Sequence, residues 1–296
     1  MKLRIATRGS AQATTQASVV AAALEQAGYA TELVLVETQG DRTQASDVPL
    51  HSIGGQGVFT KEVQAALLDG RADVAVHSAK DLPTLPHVGL TIGAFTERRH
   101  AADALIGATL AGLPFGAKVA TGSVRRRAQL RRARPDLTFT ELRGNIGKRL
   151  EKIPEGGAIV MAVAALEVLG LTEQIGSQHA WEILDPAEFV PAVGQGCVAV
   201  EHRAHDRDVA EAVARIDHAP TRAAVEVERA FLGELGSGCS LPVGAYARGN
   251  RLHVFLADEQ SSIAVSETIE LSGDPATDRE RARQAAREAH ATVSST

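Results

Sequence analysis

Residues 72–83, ADVAVHSAKDLP, carry an apolar run into a cluster of polar and charged side chains. Residues 74–76 are typical of a buried strand, and Pro83 ends the structure that follows this strand. Lys80 and Asp81 are therefore predicted at the carboxyl end of a strand, which is the edge where ligands bind in open α/β sheets. A lone Lys-Asp pair at such a position is more often a local turn cap, so a binding role needs support from the rest of the chain.

The composition is that of a globular protein with a large core. The chain has 296 residues, of which 44% are hydrophobic, and this length suffices for two or three domains. Its formal net charge of −5 argues against a surface that coats nucleic acid or is drawn to a membrane. Local groups of charge therefore need a separate interpretation.

No apolar run approaches the roughly 20 residues that span a bilayer, and the segment MKLRIATRGS lacks the apolar stretch of a secretion signal. Only two cysteines occur, Cys197 and Cys239, which fits a reducing cytoplasm. There is no CxxC or HExxH motif and no close cluster of His, Cys and carboxylate residues, so no metal site is expected. We therefore expect a cytoplasmic protein without a membrane or metal partner.

Strand-like and helix-like patterns alternate along much of the chain, which favours mostly parallel sheets. Residues 3–6 form the first predicted strand, and Ser10 can cap a helix that runs to about Ala27. The segment KVATGS at residues 118–123 echoes RIATRGS at residues 4–10, since each is a short strand followed by a Thr/Gly/Ser corner and a helix. Two such corners indicate two similar α/β domains, each presenting amide groups and a helix amino terminus to an anion.

Further elements are expected beyond these corners. They are a strand at 32–38, a long loop at 39–57, a helix at 60–68, a strand at 158–165 followed by a helix ending near Gly170, a strand within 191–200, a helix at 221–235, a hairpin of 244–248 and 251–256 about Gly249-Asn250, a strand at 263–271 and a last helix from Ala276. The predicted fold is α/β, with two α/β domains and a smaller α+β C-terminal domain. The predicted domains are residues 1–96 completed by residues 194–214, where the chain returns to this domain, residues 99–190, and residues 217–296.

The strongest electrostatic feature is residues 118–149, which hold ten positive and two negative charges, a net charge of +8. Arg125 and Arg126 stand out, because cations in the first turn of a helix oppose its dipole and crowd an anion-receptive corner. An anionic ligand would relieve both effects. Three other arginines share a helical face and are interpreted as a solvated stripe, namely Arg127, Arg131 and Arg134.

Arg143 and Arg149 flank the turn GNIG at residues 144–147, where backbone and guanidinium groups can approach one ligand. Guanidinium groups match carboxylates and phosphates equally well, so these residues alone leave the ligand class open. A nucleic acid is disfavoured, because aromatic residues, which serve as stacking platforms for bases, make up only 3% of the chain.

Cys239 lies in GSGCSLPVG at residues 236–244, a loop with glycines and a proline around the thiol. The simplest interpretation is a loop cysteine without a function. An accessible thiol on such a loop can also carry a covalently attached group, since the thiolate is the nucleophile. Cys197 lies in an apolar pattern and is interpreted as a buried core residue.

Taken together, these segments resemble the hydroxymethylbilane synthase family, also called porphobilinogen deaminases. Seven blocks in the family's order cover nearly the whole chain, and their combination is far more specific than any one of them. They are residues 4–10 (RIATRGS), 54–59 (GGQGVF), 76–83 (VHSAKDLP), 123–126 (SVRR), 142–147 (LRGNIG), 191–196 (PAVGQG) and 238–239 (GC).

The resemblance implies two domains like those of solute-binding proteins and a third domain that carries the cofactor. It also implies a transferase of tetrapyrrole and heme biosynthesis, which joins four porphobilinogen molecules head to tail, releases ammonia and yields hydroxymethylbilane. The implied cofactor is a dipyrromethane held by a thioether, here on Cys239. We expect a monomer with a small-molecule substrate and no nucleic-acid partner.

The resemblance also assigns roles to the residues singled out above. Asp81 is the expected catalytic residue, which stabilises the cationic azafulvene left when ammonia departs and assists proton transfers. Lys80 is expected to hold a cofactor carboxylate. The other expected cofactor contacts are Ser123, Arg125 and Arg126, and the expected substrate contacts are Arg8, Ser10, Thr121, Arg143 and Arg149.

Three positions depart from the family's usual pattern. Gln56 stands where the glycine loop often has lysine, Ser52 lies near a second position that is often basic, and Gly122 replaces a frequent serine. None of these departures changes Asp81 or Cys239, so we expect retained activity, with the glycine loop acting as a flexible cover.

Two other classes of function use some of the same features. A non-catalytic anion-binding protein would use the same two-domain cleft, but it does not account for a cysteine loop on a third domain. An RNA-binding protein that uses residues 118–149 predicts salt-sensitive RNA affinity. A cofactor-sized mass adduct on the purified chain would separate the enzyme from both.

Overall fold

The computed structural model describes residues 1–39, 57, 59–236, 241–258 and 263–295. Gln56, Ser52 and Cys239 lie outside the described residues, as does most of the predicted loop at 39–57.

Strands and helices alternate along most of the chain. The first part of the chain forms β1 (Lys2–Arg8), α1 (Ala11–Gln26), β2 (Ala30–Val36), α2 (Lys61–Leu68), β3 (Val74–Ser78), a short 3-10 turn (Ala79–Asp81) and β4 (Leu90–Phe95). The middle part forms β5 (Asp103–Ile106), β6 (Lys118–Ala120), α3 (Val124–Ala133), β7 (Thr138–Thr140), α4 (Ile146–Leu150), β8 (Ala158–Ala162), α5 (Val163–Val168), α6 (Thr172–Gln178) and β9 (Trp181–Ile183). The last part forms β10 (Val198–Arg203), α7 (Arg207–Ala214), α8 (Ala219–Glu234), β11 (Val243–Arg248), β12 (Arg251–Ala257), β13 (Ala264–Glu270) and α9 (Pro275–Ser294).

The corner between β1 and α1 forms from local signals. Ser10 has an extended backbone, and its Oγ accepts a hydrogen bond from Ala13 N at 3.3 Å, which caps the first turn of α1. Val20 and Leu24 lie at helical spacing and pack into the core formed with β1 and β3. Gly28, with φ +95°, follows the end of the helix. The predicted cap and helix are therefore confirmed.

Two five-stranded sheets share one plan. Their strand orders are β2-β1-β3-β10-β4 and β7-β6-β8-β5-β9. In each sheet the first three strands are parallel, and the fourth runs antiparallel to both of its neighbours. β1 and β6 occupy the same position, so the echo between residues 4–10 and 118–123 marks equivalent corners of two similar domains.

The fourth strand of each sheet follows a crossing between these domains. We call residues 96–102, which precede β5, the first crossing, and residues 191–197, which precede β10, the return segment. The two run side by side, because Arg99 N donates to Gly196 O at 2.9 Å. Gly196 has φ +87°, and a Cβ there would lie 2.7 Å from Arg99 O, so this close approach requires glycine.

Two predicted strands are wrong in extent. The strand predicted within 191–200 pairs only from Val198 onward, because the positive φ values of Gly194 and Gly196 turn the residues before it. The strand predicted at 158–165 ends at Ala162, and α5 begins directly at Val163.

The C-terminal part forms a separate antiparallel sheet, β11-β12-β13, against which α8 and α9 pack. Its core includes Phe231, Val254, Leu256 and Ala286. The hairpin predicted about Gly249-Asn250 is confirmed by the pairing of Arg248 with Arg251.

The predicted fold class is confirmed by these three sheets with their helices. The domain boundaries stay a prediction, which the membership of the three sheets supports. Within the described ranges, no helix combines the length and the apolar character needed to cross a membrane.

Candidate active site

A cleft of about 910 Å³ lies between the two five-stranded domains. The ends of β1, β2 and β3 and the start of α1 form one wall, and residues of α3, α4, β8 and α5 form the other. The charged residues of the lining are Arg8, Glu37, Lys80, Asp81, Arg126, Arg143 and Arg149. Among the described residues, five positive and two negative charges give this lining a net charge of +3 within a protein of net charge −5, so the cleft favours an anionic ligand.

Arg8 and Ser10 lie at the corner between β1 and α1. Arg8 Cζ is 4.2 Å from the centroid of the Phe59 ring, which also lines the cleft. Ser10 lines the cleft together with Ala11 and Gln12, so the amino terminus of α1 opens into it. The helix dipole favours negative charge at this point.

The Lys80-Asp81 pair lies on the 3-10 turn directly after β3. Ala79, the first residue of the turn, donates its N–H to Cys197 O at 2.9 Å, which anchors the turn on the return segment. Lys80 and Asp81 are half-buried and line the cleft. Desolvation between the cleft walls, reinforced by Arg126, lowers the pKa of Lys80 to about 8, although the charge of Asp81 opposes this shift.

Arg125 and Arg126 bind one buried carboxylate. Asp103 Oδ2 accepts from Arg125 Nη2 at 2.7 Å, and Asp103 Oδ1 accepts from Arg126 Nη2 at 2.6 Å. Burial by itself would raise the pKa of Asp103, but the two guanidinium groups outweigh it and hold that pKa well below its usual range. Arg125 also donates to Val190 O at 2.6 Å and does not line the cleft, whereas Arg126 does. The structure therefore brings only one of the two predicted arginines to the cleft.

Thr121 and Ser123 shape the corner between β6 and α3, and neither is among the residues that line the cleft. Thr121 is buried, and its Oγ1 accepts from Ser123 N at 3.2 Å. Ser123 caps α3 by accepting from Arg126 N at 3.4 Å. Both hydroxyl groups therefore hold the start of α3, and with it Arg126, in position.

Arg143 and Arg149 reach the cleft from the turn before α4 and from α4 itself. Gly144 has φ +110°, a conformation that favours glycine, and its carbonyl accepts from Arg149 Nε at 2.7 Å. Burial, reinforced by Arg126, lowers the pKa of Arg149 to about 10. The predicted glycine turn thus brings both arginines to one wall.

The predicted solvated stripe is wrong for two of its members. Arg127 donates to Thr121 O at 2.7 Å and pairs with Glu141. Arg134 pairs with Asp136 at 2.8 Å and donates to three backbone carbonyl groups. Much of the positive charge of residues 118–149 is therefore used inside its own domain.

Sequence reasoning misses two buried polar residues next to the site, Asp103 and Gln195. Asp103 interrupts the apolar run AADALI at residues 101–106. This charged residue within an apolar run is the feature of the sequence that could have revealed the site, because a buried carboxylate needs a cationic partner and the arginine-rich segment supplies one. Gln195 offers no comparable signal, since the turn PAVGQG fits an exposed loop equally well.

Cys197 is the free cysteine within the described residues. Its side chain is 2% exposed, and burial raises the pKa of its thiol to about 12 although Arg98 opposes the shift. The prediction of a buried core residue is confirmed. Such a thiol is a poor nucleophile, because the thiolate is the reactive form.

The fold and the cleft together define a class of protein. Two α/β domains enclose a basic cleft for an anionic ligand, and a third α+β domain is fastened to the crossings between them. The fastening is made by Glu228 of α8, which accepts from Arg98 Nη1 at 2.5 Å and from Gly194 N at 2.8 Å.

Comparison with known proteins identifies the family. Residues 3–211 match the family model described as "Porphobilinogen deaminase, dipyromethane cofactor binding domain", and residues 222–290 match "Porphobilinogen deaminase, C-terminal domain". The porphobilinogen deaminase of Nitratidesulfovibrio vulgaris (strain DSM 19637 / Miyazaki F) is 46% identical over 253 residues, which cover 83% of this chain and 78% of the relative. That of Acidothermus cellulolyticus (strain ATCC 43068 / DSM 8971 / 11B) is 44% identical over 287 residues, which cover 93% and 85%. This chain belongs to the porphobilinogen deaminase family.

The predicted family, its activity as a hydroxymethylbilane synthase of the transferase class and its dipyrromethane cofactor are thereby confirmed. Among solved structures, the methionine-binding protein MetQ is similar with a TM-score of 0.46 and 14% identity, over 73% of this chain and 89% of that one.

The residues of the cleft fit a cofactor with carboxylate side arms. Lys80, Arg126 and Arg149 offer cationic donors in one cavity. Arg126 Nε is buried and has no hydrogen-bond partner within the described part of the chain. A buried donor without a partner is costly, and a ligand carboxylate would satisfy it.

Proposed function

We propose that Asp81 is the catalytic residue of this enzyme and that the four porphobilinogen molecules are joined head to tail, with release of ammonia, in the basic cleft. The observation that carries this assignment is the position of Asp81 on the cleft wall next to Lys80. Its charge also acts on Arg149 of the opposite wall, so the carboxylate lies among cations from both domains.

Departure of ammonia from the aminomethyl carbon leaves positive charge on the substrate. A carboxylate that the fold already holds at this place stabilises the developing charge without reorganisation. The same group can accept and return protons at the reacting pyrrole. Both tasks need one carboxylate within reach of the reacting atoms, and Asp81 provides it.

The acidic arms of the substrate account for the positive charge of the cleft. Each porphobilinogen brings an acetate and a propionate, so a growing chain accumulates negative charge. We assign the binding of these groups to Arg126, Arg143 and Arg149 on one wall and to Arg8 and Ser10 at the start of α1 on the other. Lys80 holds a carboxylate of the cofactor.

We assign the thioether attachment to Cys239. The other cysteine, Cys197, is unsuited because its thiol is buried and its pKa is raised to about 12. When bound, the dipyrromethane supplies a pyrrole carbon as the nucleophile to which the first substrate is added. The chain's own contribution is to hold its carboxylate arms with Lys80 and Arg126.

Arg125, Thr121 and Ser123 have a supporting role in this proposal. Each of them holds a group that positions Arg126, since Arg125 pairs with Asp103 and the two hydroxyl groups order the start of α3. In this proposal we assign these three residues contacts within the protein and no direct contact with the ligand.

We further propose that the chain acts as a cytoplasmic monomer without a nucleic-acid partner. A reducing compartment keeps a loop thiol free for attachment. The basic segment at 118–149 does not suit nucleic acid, because Arg125, Arg126, Arg127 and Arg134 pair with carboxylates within the domain. Sedimentation of the purified chain measures the oligomeric state directly.

The test of the function is incubation of the purified full chain with porphobilinogen. We expect consumption of porphobilinogen, release of one ammonia per molecule consumed and formation of a linear tetrapyrrole. Chromatography measures the porphobilinogen and the tetrapyrrole, and an ammonia assay measures the ammonia. Binding of porphobilinogen without release of ammonia would instead identify a binding protein and would contradict the enzymatic function.

The lowered pKa of Lys80 predicts a pH dependence of ligand binding. A lysine with a pKa of about 8 is charged below that pH and neutral above it, so affinity for a carboxylate falls as the pH rises from about 7 to about 9.5. We expect a loss of about tenfold, the size of one hydrogen bond to a charged group. In the Cys239→Ala variant Lys80 has no cofactor carboxylate to hold and can bind a carboxylate of porphobilinogen instead, so calorimetric titration of this variant with porphobilinogen measures the loss without turnover.

Lys80→Arg in the same Cys239→Ala background is the control, because arginine keeps its charge over this range. Titration of the ligand's own amine affects both proteins equally and cancels in the comparison. An equal loss of affinity in both proteins would show that Lys80 is not the group that titrates.

A further inference from the structure

Gln195 is a buried polar residue that the proposed reaction does not use. It is 1% exposed and lies in the return segment between two glycines with positive φ, Gly194 and Gly196. Its Nε2 donates to Ala101 O at 2.8 Å and to Asp103 Oδ1 at 2.9 Å. One amide group therefore joins the return segment to the first crossing and to the start of β5.

Asp103 Oδ1 is shared by two donors, Gln195 Nε2 and Arg126 Nη2. The other oxygen, Oδ2, accepts from Arg125 Nη2. Donors from the return segment and from α3 thus fix both the position and the rotation of this carboxylate. Of the three donor residues, Arg126 is the one that lines the cleft.

The backbone of Gln195 takes part in the same junction. Its carbonyl oxygen accepts from Arg98 Nε at 3.0 Å, and Arg98 pairs with Glu228 of the third domain. Gln195 therefore contacts Arg98, which binds the third domain through Glu228, and it also contacts Asp103, which orients Arg126.

We propose that Gln195 is a positioning residue for the anion-binding guanidinium of Arg126, acting through the carboxylate of Asp103. This inference rests on the proposed function of the cleft. Without the amide of Gln195, Asp103 loses one of the three donors that fix its rotation, and its carboxylate can turn toward Arg125. Arg126 then keeps its charge but loses the orientation in which its fork meets a ligand carboxylate, so the affinity for acidic substrates falls.

The test compares Gln195→Met with a matched control, Gln129→Met, in the full chain. Gln129 is also a buried glutamine beside the crossings, but its amide bonds Val190 at 2.6 Å and 3.0 Å instead of Asp103. We expect Gln195→Met to raise the KM for porphobilinogen about tenfold, as for loss of one hydrogen bond to a charged group, with a smaller change in kcat. We expect Gln129→Met to lower the melting temperature without this rise in KM.

A double-mutant cycle tests whether the effect passes through Arg126. In Arg126→Lys the fork that Asp103 orients is absent, so adding Gln195→Met should raise the KM no further. An unchanged KM in Gln195→Met, or an undiminished rise in the Arg126→Lys background, would overturn the inference.

A second variant and the turnover of the wild-type chain complete the test. If Gln195→Met does not fold, Gln195→Asn replaces it, because the amide remains but is one methylene short of Asp103, and the same rise in KM is expected. A wild-type chain that does not convert porphobilinogen overturns the proposed function itself, whereas normal wild-type turnover with an unchanged KM in the variant overturns only the role of Gln195.

Discussion

Replacing Cys239 by alanine is expected to leave a folded chain that carries no dipyrromethane and shows no turnover. The thiolate is the nucleophile that makes the thioether, and alanine offers no substitute. Cys197 cannot take over, since it is buried and its pKa is raised to about 12. We expect turnover to fall by more than about 1,000-fold, because the substrate lacks a primer to which it can be added. Intact-mass spectrometry and the porphobilinogen assay measure both effects on the same sample.

Cys197→Ala is the matched control for this experiment. It removes the other thiol of the chain but leaves the loop at residues 236–244 unchanged. We expect the cofactor mass to remain and activity to be retained, with a melting temperature lowered by the loss of a small buried side chain. A cofactor adduct that disappears in Cys197→Ala and persists in Cys239→Ala would reverse the assignment.

Asp81→Asn is expected to abolish most turnover while the chain keeps its fold and its cofactor. Asparagine has nearly the same shape but carries no charge, so it neither stabilises positive charge on the substrate nor accepts a proton. We expect kcat to fall by about 100- to 10,000-fold, the range for loss of a group with both roles. Rapid-mixing kinetics with porphobilinogen, scored by ammonia release, measure the step directly.

Glu37→Gln distinguishes a specific role of Asp81 from a general effect of negative charge in the cleft. Glu37 is the other acidic residue of the lining within the described part of the chain, and it lies just after β2, whereas Asp81 lies beside Lys80. We expect a much smaller loss of turnover in this variant. If Glu37→Gln loses turnover and Asp81→Asn does not, the catalytic role belongs to Glu37.

Much of the fold follows from local signals that the sequence displays. Ser10 caps α1, Gly249-Asn250 closes the hairpin of β11 and β12, and the two Thr/Gly/Ser corners mark equivalent positions in two sheets. Capping, turn formation and periodicity depend on neighbours within a few residues, so they can be recognised without a structure. The strand predicted within 191–200 fails because the turn before Val198 is set by contact with the first crossing, which is remote in sequence.

The sequence by itself determined the kinds of group that the site contains: a Lys-Asp pair after a strand, arginines at a helix start and around a glycine turn, and a loop thiol. Tertiary structure alone decided which of them reach the cleft. Arg125 and Arg126 are neighbours on α3, and successive side chains on a helix leave it about 100° apart, yet only Arg126 of the two lines the cavity. Asp103 and Val190 bind Arg125 of α3 and so made that choice, and Gln195 in turn holds Asp103, because the partners of a buried charge come from segments that only the folded chain brings together.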